Sequence, residues 1–188
     1  WVGGLILVSS LIVDVPNKHL YKSYETYFGR ILTFWAIGIL QALIVTVGNM
    51  ILLKTFVAHK ILFVLFGFLI SIVFVTIIYT FVSVFGNSGK VMAIILLVMQ
   101  LGASGGTFPI QMTPEFFQKI HQFLPFTHAL GLFREAVGGV IWPVAFAHIA
   151  WLLGYMAIFL FIGIRLKERI NKRSDKFLAE ARESEIIL

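Results

Sequence analysis

Ile61-Leu-Phe-Val-Leu-Phe-Gly-Phe-Leu-Ile-Ser-Ile-Val-Phe-Val-Thr-Ile-Ile-Tyr-Thr-Phe-Val-Ser-Val-Phe85 is one apolar run without a single charge. About 20 apolar residues cross the hydrocarbon core of a bilayer as a helix, and this run exceeds that length. Its Val, Ile and Phe would score as strand in water, but its length and lack of alternation identify a helix. In hydrocarbon a chain must satisfy its own backbone hydrogen bonds, which a helix does and an open strand does not. The stretch therefore predicts a membrane span.

Working outward, the flanking sequence repeats the pattern. Ile31–Leu53 is nearly as long and also carries no charge. Val91–Gly106 is shorter, rich in Met and Leu, and ends in Gly-Ala-Ser-Gly-Gly. Pro143–Ile164 is again long enough to span, with His148 its only titratable group. Trp1–Val13 is apolar but too short to span, with no initiator Met and no basic segment ahead of it. We read it as the last part of a truncated helix rather than a signal peptide, and expect the chain to be the C-terminal piece of a longer protein. The prediction is an all-α integral membrane domain over residues 1–188 with five transmembrane helices.

Composition agrees. Of 188 residues, 59% are hydrophobic and 13% charged, against roughly 45–50% and about 25% in soluble domains. Cysteine is absent, which excludes disulfides and thiolate metal sites. The net charge of +6 does not point to nucleic acid, because the basic residues segregate by loop. One side takes Lys18, Lys22, Arg30, Lys90 and the seven of the tail at 165–188; the other takes Lys54, Lys60, Lys119 and Arg134. The positive-inside rule places the richer side, and so the C-terminus, in the cytoplasm of a cell-membrane protein. The N-terminal side of the chain is then extracytoplasmic.

Two connections are more than loops. In 14–30, Pro16-Asn17 can start a helix, and Leu20, Tyr24, Tyr27 or Phe28, and Ile31 recur at helical spacing. Tyrosine rings beside Lys18, Lys22 and Arg30 suit the headgroup level. This predicts an interfacial helix over 17–30, serving either as an anchor or as a contact for a cytoplasmic partner. In 107–142, Pro109, Pro114 and Pro125 interrupt any span, while Phe108, Phe116, Phe117, Phe123, Phe126 and Phe133 make the segment too apolar for a free loop. Short helices from about Pro114 to Phe123, begun by Thr113, and from about Thr127 to Val137, ended by Gly138-Gly139, predict a re-entrant hairpin in the outer leaflet. Non-helical backbone at that depth needs protein or a water-filled cavity beside it. The tail at 165–188 reads as a charged helix continuing the last span.

No catalytic set emerges. Gly86-Asn-Ser-Gly-Lys90 lacks the glycine spacing and the Ser or Thr of a phosphate loop, so we expect no ATPase and no enzyme here. No two histidines sit four apart on a helix; His121 and His128 lie seven apart with Pro125 between them. We expect no metal and no cofactor. Gln41, Asn49, Gln100 and His148 are the polar groups inside spans, where they either join helices or line a path. Arg134 and Glu135 are sequence neighbours and do not face each other on a helix, so each needs its own partner.

Gly105-Gly-Thr-Phe-Pro-Ile-Gln, Pro114-Glu-Phe-Phe-Gln-Lys-Ile-His, Phe123-Leu-Pro-Phe-Thr-His-Ala and Phe133-Arg-Glu-Ala-Val-Gly-Gly resemble the C-terminal membrane region of the YhgE/Pip (phage infection protein) family. Asp14 to Arg30 and Glu183-Ser-Glu-Ile-Ile resemble it as well. The resemblance implies a five-span block similar to the membrane domain of type-2 ATP-binding-cassette exporters. In that picture 14–30 holds a coupling helix (Leu20, Tyr24, Tyr27, Phe28) for a separate ATPase. Residues 107–142 form the re-entrant hairpin (Phe108, Pro109, Pro114, Phe117, His121, Pro125, Arg134, Glu135, Gly138, Gly139), and the membrane unit works as a homodimer. Relatives include bacteriophage receptors and EsaA, a membrane component of type VII secretion in Gram-positive bacteria. Two expectations follow: a permease-like subunit exporting a hydrophobic or cell-envelope substrate, or an anchor and scaffold for an extracellular domain working with secretion components.

Overall fold

The computed structural model describes residues 1–10, 23–106 and 109–183. Among the described residues every regular element is helical: α1 (Val2–Ser10), α2 (Ser23–Ile51), α3 (Lys60–Phe85), α4 (Asn87–Ala103), α5 (Glu115–Ile120), α6 (Pro125–Gly138) and α7 (Trp142–Glu183). Short 3₁₀ turns at Ile110–Met112 and His121–Phe123 flank α5.

Among the described residues, three stretches are long and apolar enough to cross a membrane: Tyr27–Ile51, Lys60–Phe85 and Trp142–Leu166. The 17 residues of α4 rise about 26 Å and the nine of α1 about 14 Å, short of a hydrocarbon core of roughly 30 Å. The five-span expectation therefore rests on length in three helices and on sequence pattern in the other two.

α3 is the axis of the bundle and touches α1, α2, α4, α6 and α7. From Val73 to Thr80 every residue is buried, so this part of the helix meets protein on all sides. Two apolar clusters share it. Phe63, Phe66, Ile70, Phe74 and Ile77 pack with Leu132 and Ala136 of α6 and Ala145 and Leu152 of α7. Val75, Ile78, Tyr79 and Val82 pack with Leu7 and Val8 of α1, Tyr27, Ile31 and Phe34 of α2, and Ala93 of α4.

Small residues set the close approaches. A Cβ at Gly38 would come within 3.0 Å of Val75 Cγ2 and 3.1 Å of Ser71 Oγ, and the Ser71 hydroxyl donates to the Gly38 carbonyl at 2.7 Å. α3 turns into α4 at Gly86, whose φ of +59° favours glycine. A Cβ at Gly89 would overlap the Phe81 carbonyl, so the Asn-Ser-Gly-Lys stretch is a tight helical corner. α7 runs unbroken for 42 residues in all, from the membrane stretch on to Glu183.

One boundary differs from expectation. Residues 23–30 continue without a break into 31–51 as a single helix, rather than lying as a separate interfacial element. The reason is Tyr27, which is fully buried instead of sitting at headgroup level. Thr80 Oγ1 donates to Thr76 O at 2.8 Å, so the Tyr27 hydroxyl, 2.8 Å from Thr80 Oγ1, is the donor between them. Its ring fills the space left by Gly163, where a Cβ would overlap it. A residue tied to α3 and α7 in this way holds the start of α2 in line with the bundle. Leu20 lies outside the described residues, and of Tyr24 only the backbone, in the first turn of α2, is described.

Candidate functional site

The hairpin forms one wall of the site. Pro109 precedes the first 3₁₀ turn, Pro114 precedes α5, and Pro125 is the first residue of α6, where a missing N–H costs nothing. Phe108 lies outside the described residues. Thr113 was expected to cap α5; instead its hydroxyl donates backward to the Ile110 carbonyl at 2.6 Å, closing the 3₁₀ turn. Phe117 rests under α4 at Gly102, whose Cβ would sit 3.6 Å from the ring. His121 Nδ1 meets the Ala103 carbonyl, and the Thr127 hydroxyl donates to the His121 carbonyl at 2.7 Å. These contacts tie the end of α4 to the loop between α5 and α6.

Arg134 and Glu135 find separate partners, as their adjacency requires. The Arg134 guanidinium donates to the Gly105 carbonyl at 2.7 Å, and Glu135 Oε2 accepts the Ile141 N–H at 2.6 Å. Gly138 ends α6 and Gly139 follows with φ +121°. The backbone just beyond α2 is bound to this end of the hairpin: His59 N donates to Ala136 O at 3.0 Å and Ala58 N to Val137 O at 3.2 Å. The hairpin and the α2–α3 connection thus share one face of the bundle, while Tyr27, Thr80 and Gly163 cluster near the other.

Beneath the hairpin, α1, α2, α3 and α6 enclose a partly open cavity of about 260 Å³. Its walls are mainly apolar, with Trp1, Phe74, Phe126 and Phe133 supplying aromatic surface. Glycines open the space: a Cβ at Gly67 would fall 2.7 Å from Thr46 Cγ2, and one at Gly3 would fall 3.0 Å from Gln41 Oε1. Among the described residues no charged side chain lines it. Two of its polar groups are already committed, Thr46 Oγ1 to Ala42 O at 2.8 Å and Ser71 Oγ to Gly38 O. Gln41 differs, since no hydrogen bond holds its amide among the described residues. An apolar chamber with one free amide can hold a mainly hydrophobic molecule and orient it through one or two hydrogen bonds.

The other intramembrane polar residues lie elsewhere. Asn49 donates to Val45 O of its own helix at 2.8 Å. Gln100 is completely buried in α4, and neither amide atom has a partner among the described residues. His148 bonds His128 across the α6–α7 interface. Sequence reading did not pair these two histidines. They stand on different helices, well separated along the chain, and no local spacing signals such a contact. It also missed the cavity, which depends on glycines whose neighbours only the packing reveals.

No group of three or more metal-ligating side chains occurs among the described residues. The model of the ABC-2 family transporter proteins matches residues 17–165. An uncharacterized protein, YhgE of Bacillus subtilis (strain 168), is 31% identical over 179 residues, which are 93% of this chain and 23% of that relative. The chain therefore spans well under half the length of that curated relative. No solved structure matches.

Proposed function

The chain belongs to the ABC-2 family transporter proteins, and from that membership we propose that it is the permease-like membrane unit of an exporter for a hydrophobic or cell-envelope substrate. The observation that carries this reading is the cavity of about 260 Å³ beneath the hairpin, apolar except for the uncommitted Gln41 amide. A separate ATPase supplies the energy, two copies of the unit work together, and the N-terminal side of α1 faces outward. The ATPase would dock at the start of α2. Tyr27 is unavailable for that contact, whereas Phe28 and Glu25 are exposed there.

The second reading is a membrane anchor and scaffold for an extracellular domain acting in secretion. Its supporting observation is that Asn49 and Gln100 do not line the cavity.

Purification of the full-length protein from its native membrane in mild detergent, followed by mass spectrometry, separates the two. The exporter reading expects a stoichiometric ATP-binding-cassette ATPase that is lost in Phe28→Asp. It also expects a bound amphiphile that is lost in Ala42→Phe while the ATPase stays. Secretion components or self-association alone, with no ATPase, would overturn it in favour of the scaffold.

A further inference from the structure

His128 stands on α6 and His148 on α7, with their Nδ1 atoms 3.1 Å apart. His128 Nε2 lies 2.9 Å from the Gln122 carbonyl. A carbonyl only accepts, so Nε2 of His128 carries a proton, and in the neutral ring Nδ1 is bare. His148 Nδ1–H must then be the donor between the rings. That leaves His148 Nε2 bare and turned toward Gly131, where any Cβ would overlap the imidazole. The His128 ring stacks on Trp151, with centroids 5.1 Å apart and planes 8° from parallel. His128 is 7% exposed, while His148 is only half-buried.

We propose that this histidine pair is a proton-operated latch between the hairpin helix α6 and the last span α7. A first proton enters at the bare His148 Nε2. It leaves the bond in place and strengthens it, since a cationic donor then faces a neutral acceptor. A second proton has only His128 Nδ1 to occupy. Both rings then present N–H groups to each other, two like charges meet at contact distance, and no acceptor remains between them. The latch opens, and α6 is held to α7 by apolar packing and the His128–Trp151 stack.

Among the described residues the other titratable groups facing the pair are few. Glu135 on α6 lies near His148, His121 of the 3₁₀ turn lies near His128, and the Tyr155 hydroxyl of α7 is buried without a partner among the described residues. Burial holds His128 below the usual imidazole range; the Gln122 carbonyl opposes this, and His148 and His121 reinforce it. The second proton therefore arrives only in acid.

The test uses the full chain in lipid nanodiscs. Because this sequence has no cysteine, spin labels can be placed at Lys119→Cys and Ala150→Cys, both exposed. Their separation is followed by electron-spin dipolar spectroscopy from about pH 8 to about pH 4.5, a range that brackets histidine titration. One short distance is expected at neutral pH, with a longer population replacing it in acid. His128→Gln should lose the acid population, and His121→Gln should keep it. A distance unchanged down to the acid limit, or a lengthening that survives His128→Gln, overturns the latch. Nitrogen chemical shifts of the unsubstituted protein provide a check free of folding effects. At about pH 8, His128 protonated on Nε2 and bare on Nδ1 supports the pair as drawn, and the reverse tautomer overturns it.

Discussion

α3 and the membrane stretch of α7 look alike as sequence and live in opposite surroundings. Both are predominantly apolar and long enough to cross a membrane. In α3 the exposed large hydrophobics are Ile61, Leu65 and Phe85, all toward its ends. In α7 they are spread along the helix: Trp142, Val144, Phe146, Trp151, Leu153, Ile158 and Phe161. Lipid tails are as apolar as a protein core, so hydrophobicity marks the solvent and does not say which helix is inside. The residues that distinguish the two are small or polar. α3 carries Gly67, Ser71, Thr76 and Thr80, each turned to a neighbouring helix: a Cβ at Gly67 would meet Thr46, Ser71 bonds Gly38, Trp35 Nε1 donates to Thr76 Oγ1 at 2.9 Å, and Thr80 meets Tyr27. In α7 the residues so turned include Ala145, His148 and Gly163, while Gly154 has nothing within 4 Å of its Cβ position.

The sharpest way to break the comparison is to crowd α7 where it does face protein. Gly163→Val would drive a side chain into the Tyr27 ring, costing about 3 kcal/mol or more, because an overpacked bundle must move a helix. Gly154 lies in the same helix with nothing within 4 Å of its Cβ position, and Gly154→Val should change stability by less than about 0.5 kcal/mol. Thermal unfolding in detergent reads both, and equal losses would mean that α7 packs differently. Next in size is removal of buried bulk from α3. Ile77→Ala should cost about 2 kcal/mol through the cavity left behind, while Ile158→Ala, 55% exposed on α7, should cost almost nothing. Steric trapping or chemical unfolding can compare the pair, and a large loss at Ile158 would place it against protein.

A gain is expected at α4. Gln100 is buried with both amide atoms unpartnered among the described residues, so Gln100→Leu should stabilise by about 1 kcal/mol, a difference the same unfolding assay resolves. A loss instead would show that the amide has a partner in the working assembly. The smallest effect concerns pH. The folded state holds His128 below its ordinary value by burial, so the unfolded chain binds more protons in mild acid and stability rises with pH there. That contribution is complete above about pH 6.5 and is lost as pH falls through the lowered value. His128→Gln should flatten this part of a stability profile, a difference that unfolding midpoints taken across the range will register.

Parts of the hairpin were legible because proline and glycine act locally. Pro114, Pro125 and Gly138-Gly139 marked the two short helices to within a few residues, and the adjacency of Arg134 and Glu135 predicted separate partners. Tyr27 was read at headgroup level because aromatic rings favour that depth, and nothing local shows that Gly163, far along the chain, leaves room for it inside.

The sequence by itself determined that this is a helical membrane domain, where its long spans run and where the chain breaks between them. Those properties depend on length, polarity and backbone chemistry within a short window, which lipid enforces strictly. Only the tertiary structure decided that α3 is the axis, that Gln41 faces a cavity while Gln100 is sealed in, and that His128 meets His148. Each of these depends on which faces of distant helices come together, and in a bilayer that choice is made by close packing and hydrogen bonds rather than by hydrophobicity.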